Sequence, residues 1–307
     1  MEPWWSLVIH VTMDSPIRIM KGNKKGFTLI LPDDKPCLAG TIVSLEDNKL
    51  HGLDTLKYHG FKKEAVKKGF AFLIIATGVP VDLYFSERSL MYVDGLMKNI
   101  FSRYHLPDKD IFLLGVATSG HRALKYIEYC KSGKSLFNPA IKGVILNESP
   151  LDWVRQWYEC QKQIRDPLNE ERFFEGNMIT YLFHLHLKAT PIKDIDRYIR
   201  FSSYSWYDTG MKKSPLYKDL AIRAYTYADL RSWFSARGKS ILDNNYPDMS
   251  GFINEQILAG NQRAELIVFH STRKDSVNSL PITAWDLVDK KELVDWMVRQ
   301  RTRWPSI

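Results

Sequence analysis

The run Gly115-Val116-Ala117-Thr118-Ser119-Gly120-His121 decides the fold that this sequence predicts. It overlaps the end of the apolar segment Ile111–Val116, which is typical of a strand buried on both faces of a parallel sheet. It leads directly into a stretch whose apolar residues recur at helical spacing until Gly133. A strand, a sharp turn and a helix are therefore expected to follow one another without an intervening loop.

Apolar segments of the same kind continue on both sides of this unit. Strands are predicted at 27–31, 40–45, 70–76, 141–146, 221–225 and 264–269, and helices before Gly69, after Ser86 and near 229–237, 248–259 and 289–303. The first two strands are separated by turn residues 32–36, which predicts that they run antiparallel to each other at the start of the fold. The later alternation of strands and helices predicts a mostly parallel α/β sheet with helices on both faces.

The segment 151–220 interrupts this alternation. It has no strand pattern and is rich in aromatic and charged residues. Because a structureless loop of that length is abnormal in a compact domain, we predict a helical cap over the carboxyl edge of the sheet. The expected organisation is one core formed by 1–150 and 221–307, with the cap at 151–220.

Composition and the N-terminus narrow the class of protein. The chain has 307 residues, of which 45% are hydrophobic and 25% charged, as in ordinary globular proteins. The cysteines at 37, 130 and 160 are too few and too widely spaced for a disulfide framework or a CxxC metal site. The N-terminus carries Glu2 and Pro3 where a signal peptide would carry lysines, and no apolar run approaches the ~20 residues that span a bilayer. We therefore expect a cytoplasmic protein, or one whose signal has been trimmed.

Charge and motifs argue against several ligand classes. The formal charge is +8, but the 43 lysine and arginine residues are scattered among 35 acidic residues. Neither nucleic acid nor a membrane is therefore the expected partner. Residues 21–26 do not match a phosphate loop, and no GxGxxG or GxxxxGK turn follows a predicted strand. His184 and His186 form an i, i+2 pair without a third ligand motif, so no metal is predicted. The expectation is a protein with no cofactor that binds an unidentified small molecule or protein.

The sequence around the turn resembles that of α/β-hydrolases. Leu113-Leu114-Gly115-Val116 precedes the turn and Ala123-Leu124-Lys125-Tyr126 follows it, similar to the bacterial esterase-like pattern of G-x-S-x-G-G and then Ala-Leu-(Arg/Lys)-Tyr. The resemblance covers most of the chain and is closest to uncharacterised bacterial serine-esterase-like proteins. It implies the α/β-hydrolase fold with a capped pocket, and it places Ala117 where the family carries its nucleophilic serine.

The same resemblance assigns the other site positions. Tyr227-Ala228-Asp229-Leu230, followed by Trp233, is similar to the segment that carries the family's acid, which places the acid at Asp229. The segment 283–289 resembles the family's His-Ser-Trp pattern, which places the histidine position at Thr283. The oxyanion and pocket positions fall on Thr77, Thr118, Ser119 and Gly120.

Two triad positions thus lack their reactive group, which indicates a degenerate triad and a pseudoenzyme. An alternative stays open, in which an active esterase or peptidase-like hydrolase uses Ser119 with Asp229 and His270. That alternative would place His121 two residues beyond the nucleophile, where the elbow needs a small side chain. On the first interpretation, Ala117 keeps the strained elbow conformation with positive φ.

Overall fold

The structure is a computed structural model of the 307-residue chain. It describes residues 17–21, 26–32, 37–47, 57–79, 81–84, 86–165, 170–229, 233, 240–270 and 283–301. Most of the helix expected near 229–237, and residues 22–25 of the basic segment 21–26, lie outside the described residues.

Eight described strands form one sheet in the order β1-β2-β4-β3-β5-β6-β7-β8. Their bounds are β1 Ile17–Lys21, β2 Gly26–Pro32, β3 Gly40–Glu46, β4 Phe70–Ala76, β5 Ile111–Val116, β6 Ile141–Asn147, β7 Ala221–Tyr227 and β8 Ala264–Phe269. The pairs β3–β4, β3–β5 and β7–β8 are parallel, whereas β1–β2 and β2–β4 are antiparallel. The predicted mostly parallel sheet is confirmed.

The prediction of antiparallel strands at the start of the fold was only partly right. The second and third strands do not pair, because β2 lies antiparallel to β4 and β3 lies between β4 and β5 with both pairings parallel. All seven residues of β3 are buried, as expected of a central strand covered on both faces. The antiparallel partner of β2 at the sheet edge is β1, which the sequence analysis missed.

Helices follow the strands as the periodicity predicted. They are α1 His59–Lys67, α2 Glu87–Arg103, α3 Thr118–Lys131, α4 Trp153–Arg165, α5 Glu170–Leu187, α6 Ile195–Phe201, α7 Tyr246–Leu258, α8 Ala284–Leu287 and α9 Lys290–Gln300. Ser86 occupies the N-cap position of α2 but makes no side-chain capping bond. The segment 151–220 contains α4, α5 and α6 and one 3₁₀ turn at Ser214–Leu216.

The chain divides into two compact units, one formed by 1–115, 122–145 and 288–307 and the other by 116–121 and 146–287. In the first unit, the buried Arg122 of α3 donates from Nε to the carbonyl of Leu45, 2.8 Å away, and from Nη1 to that of Asp82, 3.0 Å away. These charge-assisted bonds fix the helix after the turn to the carboxyl end of β3 and to the 81–84 loop.

Candidate functional site

The sharp turn is centred on Ala117. Val116 ends β5, Thr118 begins α3, and Ala117 between them has φ 55°. Its backbone N–H donates to the carbonyl of Asn147 at the end of β6, 2.8 Å away, and its carbonyl accepts from the N–H of Gly120. A non-glycine residue at positive φ costs free energy and persists only where its surroundings impose that conformation. The predicted strain at Ala117 is confirmed.

Gly120 allows a close contact between the start of α3 and Ser149. A Cβ built at position 120 would stand 2.6 Å from the Cβ of Ser149 and still closer to its hydroxyl oxygen. Only glycine leaves room for this approach of the helix to the segment after β6. With Gly115 before the strained residue and the small Ser119 after it, small side chains lie two positions on either side of Ala117.

Ser119 and His270, the residues of the alternative triad, occupy different surroundings. Ser119 lies in the first turn of α3 and is 1% exposed. His270 directly follows β8 and is exposed. A nucleophilic hydroxyl must meet both its base and its substrate, so the alternative requires Ser119 to become accessible.

His121 lies in the first turn of α3 and packs inside the second unit. Its Nδ1 accepts a hydrogen bond from the indole Nε1–H of Trp153, 3.0 Å away. Its ring meets those of Trp153 and Phe201 edge to face, with centroids 4.8 and 5.0 Å apart. Aromatic residues of the predicted cap segment therefore contact the helix that begins at the turn.

Asp229 follows β7 by two residues and is partly exposed. Its Oδ2 accepts a hydrogen bond from the hydroxyl of Tyr227, 3.0 Å away, and its backbone carbonyl accepts from the N–H of Trp233. The tyrosine partner was not anticipated, although it lies within the quoted motif. The carboxylate is held two residues beyond the end of a strand, and its assignment as the acid position stays a prediction.

Thr283 directly precedes the short helix α8. Its backbone N–H and its hydroxyl both donate to Oδ2 of Asp286, at 2.9 and 2.7 Å. The next residue, Ala284, donates its N–H to Oε2 of Glu148, which lies directly after β6 with φ 46°. Glu148 therefore brings a carboxylate next to the segment that carries the predicted histidine position. The sequence did not indicate this contact, because 136 positions separate Glu148 from Ala284.

Thr77 follows β4 and is buried in the first unit. Its hydroxyl donates to the carbonyl of Asp47, 3.2 Å away, and the N–H of Gly78 donates to the same oxygen at 2.7 Å. This side chain joins the loops that follow β3 and β4. Its assignment to an oxyanion or pocket role stays a prediction.

The described residues contain neither a cluster of metal ligands nor a helix suited to a membrane. His184 and His186 are both exposed on α5, and within the described residues no group of three histidine, cysteine or acidic side chains forms a metal site. None of the helices in that same part of the chain combines the length and apolarity needed to cross a bilayer.

Comparison with known proteins identifies the fold. No family model and no curated protein matches the sequence. Solved structures do match: Mycobacterium tuberculosis MPT51 at 9% identity and TM-score 0.56, over 94% of this chain and 100% of that one, and carboxyl esterase 2 of Tuber melanosporum at 11% and 0.56, over 95% and 88%. An S-formylglutathione hydrolase from Agrobacterium tumefaciens matches at 9% and 0.52, over 93% and 95%. The chain has the α/β-hydrolase fold.

Proposed function

We propose that this chain is an α/β-hydrolase-fold binding protein that lacks serine-hydrolase activity. The observation that carries the proposal is the position of Ala117, which has φ 55° between β5 and α3. In this fold the residue at that turn presents the nucleophile. Here the turn presents a methyl group, which has no lone pair with which to attack an acyl carbon.

The surroundings of the other two triad positions support this proposal. A serine nucleophile needs a base that removes its proton and a carboxylate that orients the base. The hydroxyl of Thr283 donates to Asp286 and has no basic nitrogen to offer. The carboxylate of Asp229, at the predicted acid position, accepts a hydrogen bond from the hydroxyl of Tyr227.

The proposal retains a binding role at the turn. The helices of 151–220 form the proposed cap, and its Trp153 and Phe201 pack on His121 of the elbow helix. The first N–H groups of α3 carry the positive end of the helix dipole and favour a carboxylate or a polarised oxygen. A small molecule or a protein segment with such a group is the proposed ligand, and no cofactor is required.

Hydrolysis of p-nitrophenyl acetate and butyrate tests the proposal. We expect the purified protein to release p-nitrophenol no faster than buffer, and Ser119→Ala to behave identically. Ser132→Ala is the matched control, since Ser132 is an exposed serine that directly follows the C-terminal end of the same helix. Turnover above buffer that disappears in Ser119→Ala and persists in Ser132→Ala would contradict the proposal. That result would favour the alternative, in which Ser119 is the nucleophile of a hydrolase with Asp229 and His270.

A further inference from the structure

The inward face of helix α5 packs on α4. Gly176 and Phe183 are both buried and lie on the same side of α5, because positions seven apart are separated by about two turns. A Cβ built at Gly176 would stand 3.0 Å from the backbone oxygen of Cys160 in α4. The ring of Phe183 meets that of Trp153 in α4 edge to face, with centroids 5.6 Å apart. This packing fixes which side of α5 faces outward.

The outward face of α5 is also apolar, although it faces solvent. It carries a row of residues at spacings of four, three and four, here called the outer stripe: Phe174, Met178, Tyr181 and Leu185. At about 100° per residue the four positions lie within roughly 60° of one another, on the side opposite Phe183. Phe174 is 68% exposed, Tyr181 64% and Leu185 51%. The outward face of a surface helix is ordinarily polar, so the outer stripe indicates a contact with something beyond this chain.

The spacing of the outer stripe is that of a coiled-coil seam. Apolar residues alternate at intervals of three and four where one helix packs along another, and each side chain fits between side chains of the partner helix. Because an aromatic side chain has about 150–250 Å² of surface, the exposed parts of Phe174 and Tyr181 alone provide roughly 250 Å². Exposed apolar patches of a few hundred Å² mark interaction surfaces. The outer stripe is therefore suited to a second helix laid along it.

The charges at the two ends of the outer stripe select the partner. Glu170 begins α5, Lys188 directly follows it, and both side chains are exposed. The two positions lie on the same flank of the stripe, because the 18 residues of α5 make about five full turns. A second copy of α5, laid antiparallel so that Phe174 is opposite Leu185, keeps matching flanks on the same side.

The antiparallel direction also satisfies the charges. It brings Glu170 of each copy beside Lys188 of the other, so that the contact contains two pairs of opposite charge. The dipoles of two antiparallel helices attract each other as well. A parallel pairing would instead place Glu170 beside Glu170 and Lys188 beside Lys188. The outer stripe and its flanking charges are therefore complementary to themselves.

We propose that the outer stripe is the contact surface of a reversible homodimer, in which α5 of one copy lies antiparallel to α5 of a second. The twofold axis passes between Met178 and Tyr181, at the middle of the stripe. The stripe is small beside the ~800 Å² that each partner contributes to a stable interface, so the association should be weak and should depend on protein concentration in the micromolar range. The dimer does not rest on the proposed function, since the stripe contains none of the predicted triad positions.

Sedimentation velocity from low to high micromolar concentrations tests the dimer. We expect wild-type protein to shift from monomer to dimer as its concentration rises. Tyr181→Glu should raise the dissociation constant about tenfold or more, because the contact would remove water from an unpaired carboxylate at its centre. Leu136→Glu is the matched control and should leave the association unchanged, since Leu136 is 77% exposed and lies outside α5. Circular dichroism confirms that each variant is folded.

Charge reversal tests the direction of the pairing at low salt. Glu170→Lys alone and Lys188→Glu alone should each weaken the dimer about threefold or more, because each places like charges side by side. The double variant restores opposite charges in both pairs and should recover the association of the wild type. Both side chains are exposed, so a general loss of stability would not produce this recovery.

Three results would overturn the proposal. They are a monomer at every concentration, a dimer that Tyr181→Glu does not weaken, and a double charge variant that associates no better than the single ones. Vesicles of neutral phosphatidylcholine are sedimented with the protein alongside. Binding of monomers to these vesicles, lost in Tyr181→Glu, would assign the outer stripe to a lipid surface instead. The ester assay is a separate readout, so failure of one proposal leaves the other to be judged by its own experiment.

Discussion

Gly120 lies so close to Ser149 that a Cβ at position 120 would stand 2.6 Å from the Cβ of Ser149. The contact joins the first turn of α3 to the segment after β6, and it holds the backbone on one side of the turn at Ala117. The hydrogen bond from Ala117 N–H to the Asn147 carbonyl holds it on the other side.

The first prediction follows from this contact. Gly120→Ala should lower the free energy of unfolding by about 1–3 kcal/mol, because the added methyl group overpacks the approach of α3 to Ser149. Urea denaturation followed by circular dichroism measures the change. Adding Ser149→Gly to Gly120→Ala should restore part of the loss by removing the opposing side chain. Wild-type stability in Gly120→Ala would show that the two segments are not in contact in solution.

The second prediction concerns the strained residue. Ala117→Gly should be neutral or stabilising by up to about 1 kcal/mol, because glycine adopts positive φ without the cost that alanine bears. Ala123→Gly in the middle of α3 is the comparison, and it should destabilise the protein by about 1 kcal/mol or more. Both values come from urea denaturation. Equal losses in the two variants would mean that position 117 is ordinary helical backbone.

The third prediction concerns restoration of the nucleophile. Ala117→Ser alone should give no ester hydrolysis above buffer, because Thr283 supplies no base and a serine hydroxyl keeps its proton at neutral pH. Initial rates with p-nitrophenyl acetate provide the measurement. Vigorous turnover in this single variant would reveal a base that the assigned triad positions do not include.

The sequence predicted the local units well because their patterns are local. The buried strand Ile111–Val116, the turn and the start of α3 are contiguous, and the periodicity of each was sufficient to identify them. The pairing of β2 with β4 was missed, since strand order depends on which segments bury their faces together. Turn residues between two strands in sequence do not make them neighbours in the sheet.

Contacts between residues far apart in the chain could not be predicted from the sequence. Glu148 meets Ala284 across 136 positions and Arg155 meets Asp248 across 93. No local motif indicated either of these contacts. The aromatic content of 151–220 was the one available signal, and it did not separate packed residues such as Trp153 from exposed ones such as Trp206.

The fourth prediction concerns the pH dependence of stability. Burial, opposed by the bond from Ser214 and aided by the charge of Asp208, raises the pKa of Glu255 from 4.5 to about 7. The folded state therefore holds this proton more tightly than the unfolded state, and the corresponding stability is present below pH 4.5 and is lost as pH rises through about 7. Because Glu255 is only partly buried, solvent screens this effect and we expect a contribution of roughly 1–2 kcal/mol.

Glu255→Gln tests this assignment, because glutamine keeps an acceptor for Ser214 and does not ionise. The free energy of unfolding, measured by urea denaturation from about pH 4 to about pH 8, should fall less with rising pH in the variant than in the wild type. Parallel profiles for the two proteins would assign the pH dependence to other groups.

The most direct test of the proposed loss of hydrolase activity is the intact mass of the purified protein after incubation with a fluorophosphonate. A serine hydrolase forms a stable adduct with this probe through its activated hydroxyl. We predict an unchanged mass, under conditions in which an active serine esterase is fully labelled. A stoichiometric adduct that maps to Ser119 and is absent from Ser119→Ala would contradict the account.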